Sequence, residues 1–328
     1  MKRLTVVSLF VLFLATGAFA QNRNPLGKVT SVQTVSCPSG FAAGSSCQHL
    51  TIESCPNTTD MGVMIGTKSA VASKGSIVLF NGSTGTRPMG GPFVSDYVGK
   101  GFTVIDTMWD DPGWEGTGEK ASLLAGACRP ATLLSYLAAS AKGAFCGQGR
   151  SAGSSALAYA MAHYGIDQLD HVELLSGPVM SDLEQGCRTP VAPPVTVVPT
   201  DGAPFMNGPQ YVNQFIPAVS AYTGQTCEPP GSTSFSADST WLAQSIVQAD
   251  AVLKYPNTGV SGWVCDNGLN NSAAQGAIFY SALGSSYSLT RISNCSGSEG
   301  VQSGTTPQGV KGQQAIEQDM ELSCMVRQ

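Results

Sequence analysis

The stretch AFCGQGRSAGSSALAYAMAHYG, residues 144–165, decides the fold of this chain. Its first residues, Ala144–Gly147, form a short apolar run that is typical of a buried strand. Residues 154–164 are mostly small or apolar, which indicates a helix packed closely against a neighbour. Between the two, Gly149–Gly153 matches the pattern G-x-S-x-G, which is informative here because a strand precedes it and a helix follows it.

A turn of this kind prepares its central serine for chemistry. The sharp change of direction forces Ser151 into a strained backbone conformation and exposes its hydroxyl. Glycines on either side remove the side chains that would collide with the neighbouring strand and helix. The helix begins close after the serine, so its N-terminus directs partial positive charge at a developing oxyanion. The sequence therefore predicts that Ser151 is a nucleophile.

Strands alternate with helices on both sides of this turn. The predicted strands are Gln48–Glu53, Gly62–Gly66, Ser76–Phe80, Phe102–Thr107, Ala144–Gly147, Val172–Ser176, Gly262–Cys265 and Ser288–Ile292, and the predicted helices cover 122–140, 154–163, 237–253 and 312–322. We expect the first two strands to be an antiparallel pair. The later alternation predicts an α/β fold, with a mostly parallel central sheet and helices on both of its faces.

These features resemble the α/β-hydrolase superfamily, over roughly residues 48–182 and 255–322. The resemblance rests on the G-x-S-x-G turn, on the strand order and on the loop Asn81–Gly85. In that family this loop and the residue after the nucleophile supply the N–H groups of the oxyanion hole. The resemblance therefore implies that Gly82 or Ser83 provides one donor and Ala152 the other. The helix after the turn looks like that of secreted, Cys-rich bacterial members.

The same resemblance implies an acid and a base in the chain order serine, carboxylate, histidine. Asp266 directly follows a late predicted strand and is the favoured acid, with Asp182 as the alternative. The histidine is expected after the last strand, within Ser293–Gly309, but that segment contains none. Glu299 stands near the expected position and becomes the candidate base.

The three histidines of the chain fit the role of base poorly. His163 lies twelve residues along a helix from the serine, which is about 18 Å at helical rise. His171 begins a strand and so belongs at the opposite end of the sheet from the site. His49 lies at the start of the first strand pair. We expect that none of them reaches Ser151.

A missing histidine divides the functional hypotheses. The first is a serine hydrolase of the esterase type with reduced activity, because a serine hydroxyl is a weak nucleophile without an adjacent base and a carboxylate is less basic than imidazole. The second is a catalytically inert hydrolase fold that binds a small molecule or a partner. The third is a structural protein of the cell envelope. No cofactor is implied by any of the three.

Two tryptophans and two aspartates follow the strand Phe102–Thr107 and are expected at the same sheet edge. They are Trp109, Asp110, Asp111 and Trp114. Either they contact an aromatic or sugar substrate, or they form a structural loop.

The remaining composition indicates an exported protein. The chain has 328 residues, a formal net charge of −5 and only 12% charged residues, so it shows no basic footprint for nucleic acid. Residues 1–20 have the charged start, apolar run and small-residue cleavage site of a signal peptide, which predicts cleavage after Ala20 and a secreted or periplasmic protein. No later segment is apolar enough to span a membrane. Residues 21–45 are expected to be a polar lead, and 46–322 the hydrolase domain, with a cap inserted at about 183–250.

All ten cysteines lie after the signal peptide, and an even number in an exported chain favours disulfides. A zinc site is disfavoured, because the chain has no C-x-x-C pair and only three histidines; no metal is expected. We predict the pairs Cys187–Cys227 and Cys265–Cys295, with Cys128–Cys146 as a weaker third.

Overall fold

The computed structural model describes residues 23–116, 122–183, 196–197, 205–206, 238–265, 271–284, 287–295 and 300–325. Over these residues nine strands form one sheet in the order β1-β2-β3-β5-β4-β6-β7-β10-β11, and β8 pairs with β9 separately. The strands are β1 (Lys28–Val35), β2 (Ser46–Glu53), β3 (Met61–Lys68), β4 (Gly75–Phe80), β5 (Thr103–Trp109), β6 (Ala144–Arg150), β7 (His171–Leu175), β8 (Thr196–Val197), β9 (Phe205–Met206), β10 (Gly259–Cys265) and β11 (Ser288–Ile292).

The sheet is antiparallel at one side and parallel elsewhere. β1, β2, β3 and β5 pair antiparallel in turn, whereas β5, β4, β6, β7, β10 and β11 pair parallel. This topology confirms the α/β-hydrolase fold predicted from the sequence. One expectation was wrong: residues 21–45 are not only a polar lead, because β1 lies there and pairs with β2.

Helices cover both faces of the sheet, as predicted. They are α1 (Gly91–Gly99), α2 (Leu123–Gly126), α3 (Cys128–Ala138), α4 (Ala152–Tyr164), α5 (Asp238–Ala243), α6 (Asn271–Leu283) and α7 (Gly312–Ser323). One apolar cluster holds residues of α3, α4 and α6, and the other holds residues of α1 and α7. The sequence had not predicted α1 or α6.

Two predicted helices are shorter than expected. The segment 122–140 divides into α2 and α3, and Pro130, which lacks an N–H, stands in the first turn of α3, where none is needed. The segment 237–253 is helical only to Ala243. Beyond it the N–H groups of Ile246 and Val247 donate to the carbonyls of Met180 and Ser181, so tertiary pairing replaces the helical bonds.

Four disulfides connect the described residues. They are Cys37–Cys47, Cys55–Cys128, Cys146–Cys324 and Cys265–Cys295. The last confirms a prediction. The predicted pair Cys128–Cys146 is wrong, because Cys128 packs in the α3 and α4 cluster while Cys146 faces the opposite side of the sheet. Cys187 and Cys227 lie outside the described residues, as do the signal peptide and most of the predicted cap.

None of the helices in the described ranges is long and apolar enough to cross a membrane.

Candidate active site

Ser151 lies between the end of β6 and the start of α4, at the carboxyl edge of the parallel strands. Its backbone has φ 53° and ψ −120°, a conformation that is uncommon for a residue with a side chain. Its N–H donates to the carbonyl of Leu175 at 2.8 Å, which extends the pairing of β6 with β7 by one residue. The side chain is half-buried, and among the described residues no group forms a hydrogen bond with its hydroxyl oxygen.

The two glycines of the turn are sterically required. A Cβ on Gly149 would lie 2.5 Å from the carbonyl oxygen of Gly153. A Cβ on Gly153 would overlap the carbonyl oxygen of Phe80, at the end of β4. The turn therefore packs backbone against backbone, which places α4 close to β4 and holds the strained serine in position.

The loop after β4 lies directly against the serine. A Cβ on Gly82 would lie 3.0 Å from Ser151 Cβ and 3.7 Å from Ser151 Oγ. The N–H of Gly82 already donates to Asn81 Oδ1 at 2.7 Å. The N–H of Ser83 has no acceptor among the described residues, nor has that of Ala152, the first residue of α4. Of the two predicted loop donors, the geometry therefore favours Ser83 over Gly82.

A side-chain clamp that the sequence did not reveal fixes this loop. Arg150 donates to Asn81 Oδ1 from Nε at 3.2 Å and from Nη2 at 2.6 Å. Asn81 Nδ2 in turn donates to the carbonyls of Arg87 and Pro88. The same guanidinium reaches Gln302 Oε1 at 3.5 Å, in the segment after β11. The residue next to the serine thus holds two loops of the site edge together.

All three histidines are described, and each ring lies away from the serine. His163 bonds the carbonyl of Ile246 at 2.9 Å and is twelve residues along α4, about 18 Å from Ser151. His171 pairs in register with Cys146, four residues before Arg150, or about 13 Å along the strand. His49 bonds Asp110 Oδ2 at 2.9 Å on β2, four strand spacings or about 19 Å from β6.

The predicted acid and base, Asp266 and Glu299, lie outside the described residues, although their neighbours are defined. β10 ends at Cys265, so Asp266 follows a strand that ends at the carboxyl edge. Gly300 lies against Ser176 Oγ, the residue that follows β7 at the same edge. The alternative acid, Asp182, is held through its backbone: its N–H donates to Gln275 Oε1 and its carbonyl accepts from Gln275 Nε2, on α6.

The tryptophan loop is built as a packing element rather than a contact surface for substrate. Trp109 and Trp114 are 2% and 1% exposed. Asp110 pairs with His49, and the side chain of Glu115, the residue after Trp114, is buried. Burial raises the pKa of Glu115 to about 8.

No protein-family model matches the chain, and no curated protein matches its sequence. Solved structures with a similar fold include acetyl xylan esterase 1 from Thermoanaerobacterium sp. JW/SL YS485, with 12% identity, a TM-score of 0.48 and coverage of 80% of each chain. A bacterial heroin esterase has 12% identity and a TM-score of 0.49, with 88% of this chain and 87% of that chain covered. An esterase from Pyrobaculum calidifontis has 12% identity and a TM-score of 0.47, with coverage of 91% and 85%.

Proposed function

We propose that this protein is an exported serine hydrolase that cleaves carboxylic esters through Ser151 and turns over slowly. The observation that carries the proposal is the strained serine with open N–H groups beside it: Ser151 has φ 53°, and the amides of Ser83 and Ala152 have no acceptor among the described residues. A serine in this setting presents its hydroxyl to a substrate carbonyl, and free amides stabilise the oxyanion that forms.

In the proposed reaction Ser151 Oγ attacks the ester carbonyl and loses its proton, and the alcohol leaves to give an acyl-enzyme. Water then releases the acid and restores the serine. The Ser83 and Ala152 amides donate to the carbonyl oxygen in both steps, while Arg150 holds Asn81 and so keeps the donor loop in place. We assign the proton-accepting role to Glu299 and the orienting acid to Asp266, with Asp182 as the alternative.

Slow turnover follows from the positions of the histidines. General-base help is worth about 10²–10⁴-fold in rate, and a carboxylate supplies less of it than an imidazole does at neutral pH. Export is supported by four disulfides, which form and persist in oxidising compartments.

Covalent labelling with a fluorophosphonate tests the nucleophile directly. The wild-type protein should be labelled at one serine, the Ser151→Ala variant should not, and the Ser176→Ala variant should be labelled like the wild type. Ser176 is the matched control because it also follows a strand at this edge with a positive φ, 50°. Labelling that persists in Ser151→Ala would refute the proposed nucleophile.

The distribution of the histidines also favours a second function, an inert hydrolase fold that binds a small molecule or a partner. In that case neither labelling nor ester hydrolysis is seen, although the protein is folded. Hydrolysis of p-nitrophenyl acetate decides between the two: slow turnover that is lost in Ser151→Ala supports the enzyme, whereas a rate no higher than that of the uncatalysed reaction in both proteins supports the binding protein. N-terminal sequencing of exported protein tests the predicted cleavage after Ala20.

A further inference from the structure

A buried cluster of one histidine and two carboxylates lies at β7, the strand next to β6, and nearer the amino ends of these strands than Ser151 does. His171 and Glu173 occupy alternate positions of β7 and therefore point to the same face. That face is covered by α7, which presents Asp319. Each residue offers one ligand atom, and these atoms all lie within 4.8 Å of one another. Among the described residues, this is the one group of three metal-ligating side chains whose ligand atoms lie so close together.

Four polar atoms of this cluster are buried without a hydrogen bond of normal geometry. Both ring nitrogens of His171 are buried without one, as are Glu173 Oε1 and Asp319 Oδ2. His171 and Glu173 are 3% and 0% exposed. The contact of 3.5 Å between His171 Nε2 and Asp319 Oδ2 is an ion pair that is longer than a normal hydrogen bond. A buried polar atom without a hydrogen bond costs about 1–3 kcal/mol, so the fold holds polar atoms here that its own hydrogen bonds do not satisfy.

The surroundings of Glu173 orient one oxygen and leave the other open. Gln148 Nε2 donates to Oε2 at 2.7 Å, and the Tyr97 hydroxyl donates to the same oxygen at 3.4 Å. Oε1 is buried without a partner, and a carboxylate oxygen of Glu173 lies within 4.8 Å of the ligand atoms of His171 and Asp319. Donors that fix a carboxylate from behind in this way are typical of the groups that support metal ligands.

The charge of the cluster also suits a cation. It brings two carboxyl groups together with a single imidazole, all within 4.8 Å of one another. A divalent ion would balance two carboxylate charges held this close together.

We propose that His171 Nε2, Glu173 Oε1 and Asp319 Oδ2 form a structural site for a divalent cation, best suited to zinc, that joins α7 to β7. One imidazole and two carboxylates are ligands that zinc accepts. At metal–ligand distances of 2.0–2.1 Å, tetrahedral ligand atoms lie about 3.4 Å apart. The 3.5 Å between His171 Nε2 and Asp319 Oδ2 already matches this separation. Asp319 is the exposed member, with 29% of its side chain accessible, so the ion enters from its side.

The test uses the full mature chain with its disulfides intact, stripped with EDTA and dialysed against metal-free buffer without reductant. Titration with zinc, followed by metal analysis after gel filtration, should give one equivalent of bound zinc. Saturation should raise Tm by about 5 °C, the shift expected when free zinc exceeds Kd about 100-fold. Cobalt(II) should replace zinc and give the visible spectrum of tetrahedral nitrogen and oxygen ligation.

Two variants remove ligands and two serve as matched controls. Glu173→Gln is nearly isosteric and Asp319→Asn is partly exposed, and both should lose the equivalent of zinc and the Tm shift. Glu317→Gln makes the same charge change on the same helix and should keep both. His49→Gln removes the surface pair in which His49 Nε2 lies 2.9 Å from Asp110 Oδ2, and should also keep both.

The proposal is overturned if the wild type binds no zinc under these conditions, or if Glu173→Gln and Asp319→Asn bind it as the wild type does. Loss of binding in His49→Gln alone would place the zinc at the surface pair and would overturn the proposal as well. Should a ligand variant fail to fold, the cobalt spectrum of the wild type decides: tetrahedral absorption supports the site and its absence refutes it.

Discussion

The two ends of strands β6 and β7 carry polar groups of different kinds. At the carboxyl ends, Ser151 is half-buried with a strained backbone, and the amides of Ser83 and Ala152 beside it have no acceptor among the described residues. Nearer the amino ends, Gln148, Glu173 and His171 are buried under α1 and α7. One end leaves its hydrogen-bonding groups open to solvent, whereas the other encloses them.

This difference shows that residue type alone does not define a site. An imidazole beside a carboxylate is the pair that would activate Ser151, and His171 and Asp319 form such a pair 3.5 Å apart. They do so five residues from the serine, or about 16 Å along the strand, on the enclosed side. The chain thus contains the chemical groups of a base but holds them where they can bind an ion and cannot reach an ester.

Placing a histidine near Ser151, at the carboxyl ends of β6 and β7, should have the largest effect, a rise in ester hydrolysis. Glu299→His places an imidazole in the segment that precedes Gly300, which packs against Ser176 beside the G-x-S-x-G turn. If Asp266 orients the ring, p-nitrophenyl acetate hydrolysis should rise about 100-fold or more, within the range for general-base catalysis. The double variant with Ser151→Ala should be inactive, and an unchanged rate in Glu299→His would place residue 299 away from the serine.

A methyl group in the G-x-S-x-G turn should have the next largest effect, a loss of stability and of labelling. Gly153→Ala puts a Cβ into the Phe80 carbonyl, so it should destabilise the protein by about 3 kcal/mol or more and abolish labelling. Gly99→Ala is the matched control, because a Cβ there meets nothing within 4 Å at the end of α1. It should be neutral or stabilise by up to about 1 kcal/mol. Urea unfolding measures both, and equal effects would contradict the tight turn.

The tryptophan loop holds a buried acid outside both ends, Glu115, and burial alone raises its pKa to about 8. The folded state then holds a proton that the unfolded chain releases near pH 4.5. Stability from this group is therefore complete below pH 4.5 and is lost as pH rises to about 8, by a few kcal/mol in total. Glu115→Gln should flatten the fall in stability between pH 5 and 8. A wild type whose urea midpoint is constant over that range would contradict the shift.

The smallest effect on reactivity is expected from the clamp between Arg150 and Asn81. Arg150→Gln removes the two-nitrogen contact with Asn81 Oδ1 and should lower the rate of fluorophosphonate labelling about tenfold, through a less ordered donor loop. Arg150→Lys keeps the charge but not the planar fork, so its rate should lie between those of wild type and Arg150→Gln. Tm should change little in either, which separates positioning from folding.

The strands and the G-x-S-x-G turn were predictable because the sequence patterns that indicate them are local. Apolar runs such as Ser76–Phe80 and the glycines around Ser151 are read within ten residues, and the structure places strand and turn where the sequence indicated. Helix 237–253 was overestimated because its last turns bond to Met180 and Ser181, which no local pattern shows. The clamp between Arg150 and Asn81 was missed for the same reason.

The enclosed cluster was missed because its parts are distant in the chain. His171 and Glu173 are two residues apart on a strand, while Asp319 lies on a helix about 150 residues later. A search for C-x-x-C motifs and histidine pairs finds no such group. Only the parallel pairing of the strands and the packing of α7 on β7 bring the three side chains together.

The bond between Cys146 and Cys324 makes the order of synthesis matter. It closes a loop with a sequence separation of 178, and Cys265–Cys295 lies wholly inside that loop. Cys37–Cys47 and Cys55–Cys128, by contrast, join each thiol to the next one made. A chain oxidised as it emerges would therefore pair the first four cysteines natively and then join Cys146 to a wrong partner. The central strand β6 receives its covalent link only through late oxidation or thiol exchange, so a compartment with a disulfide isomerase should yield more native protein than one with an oxidant alone.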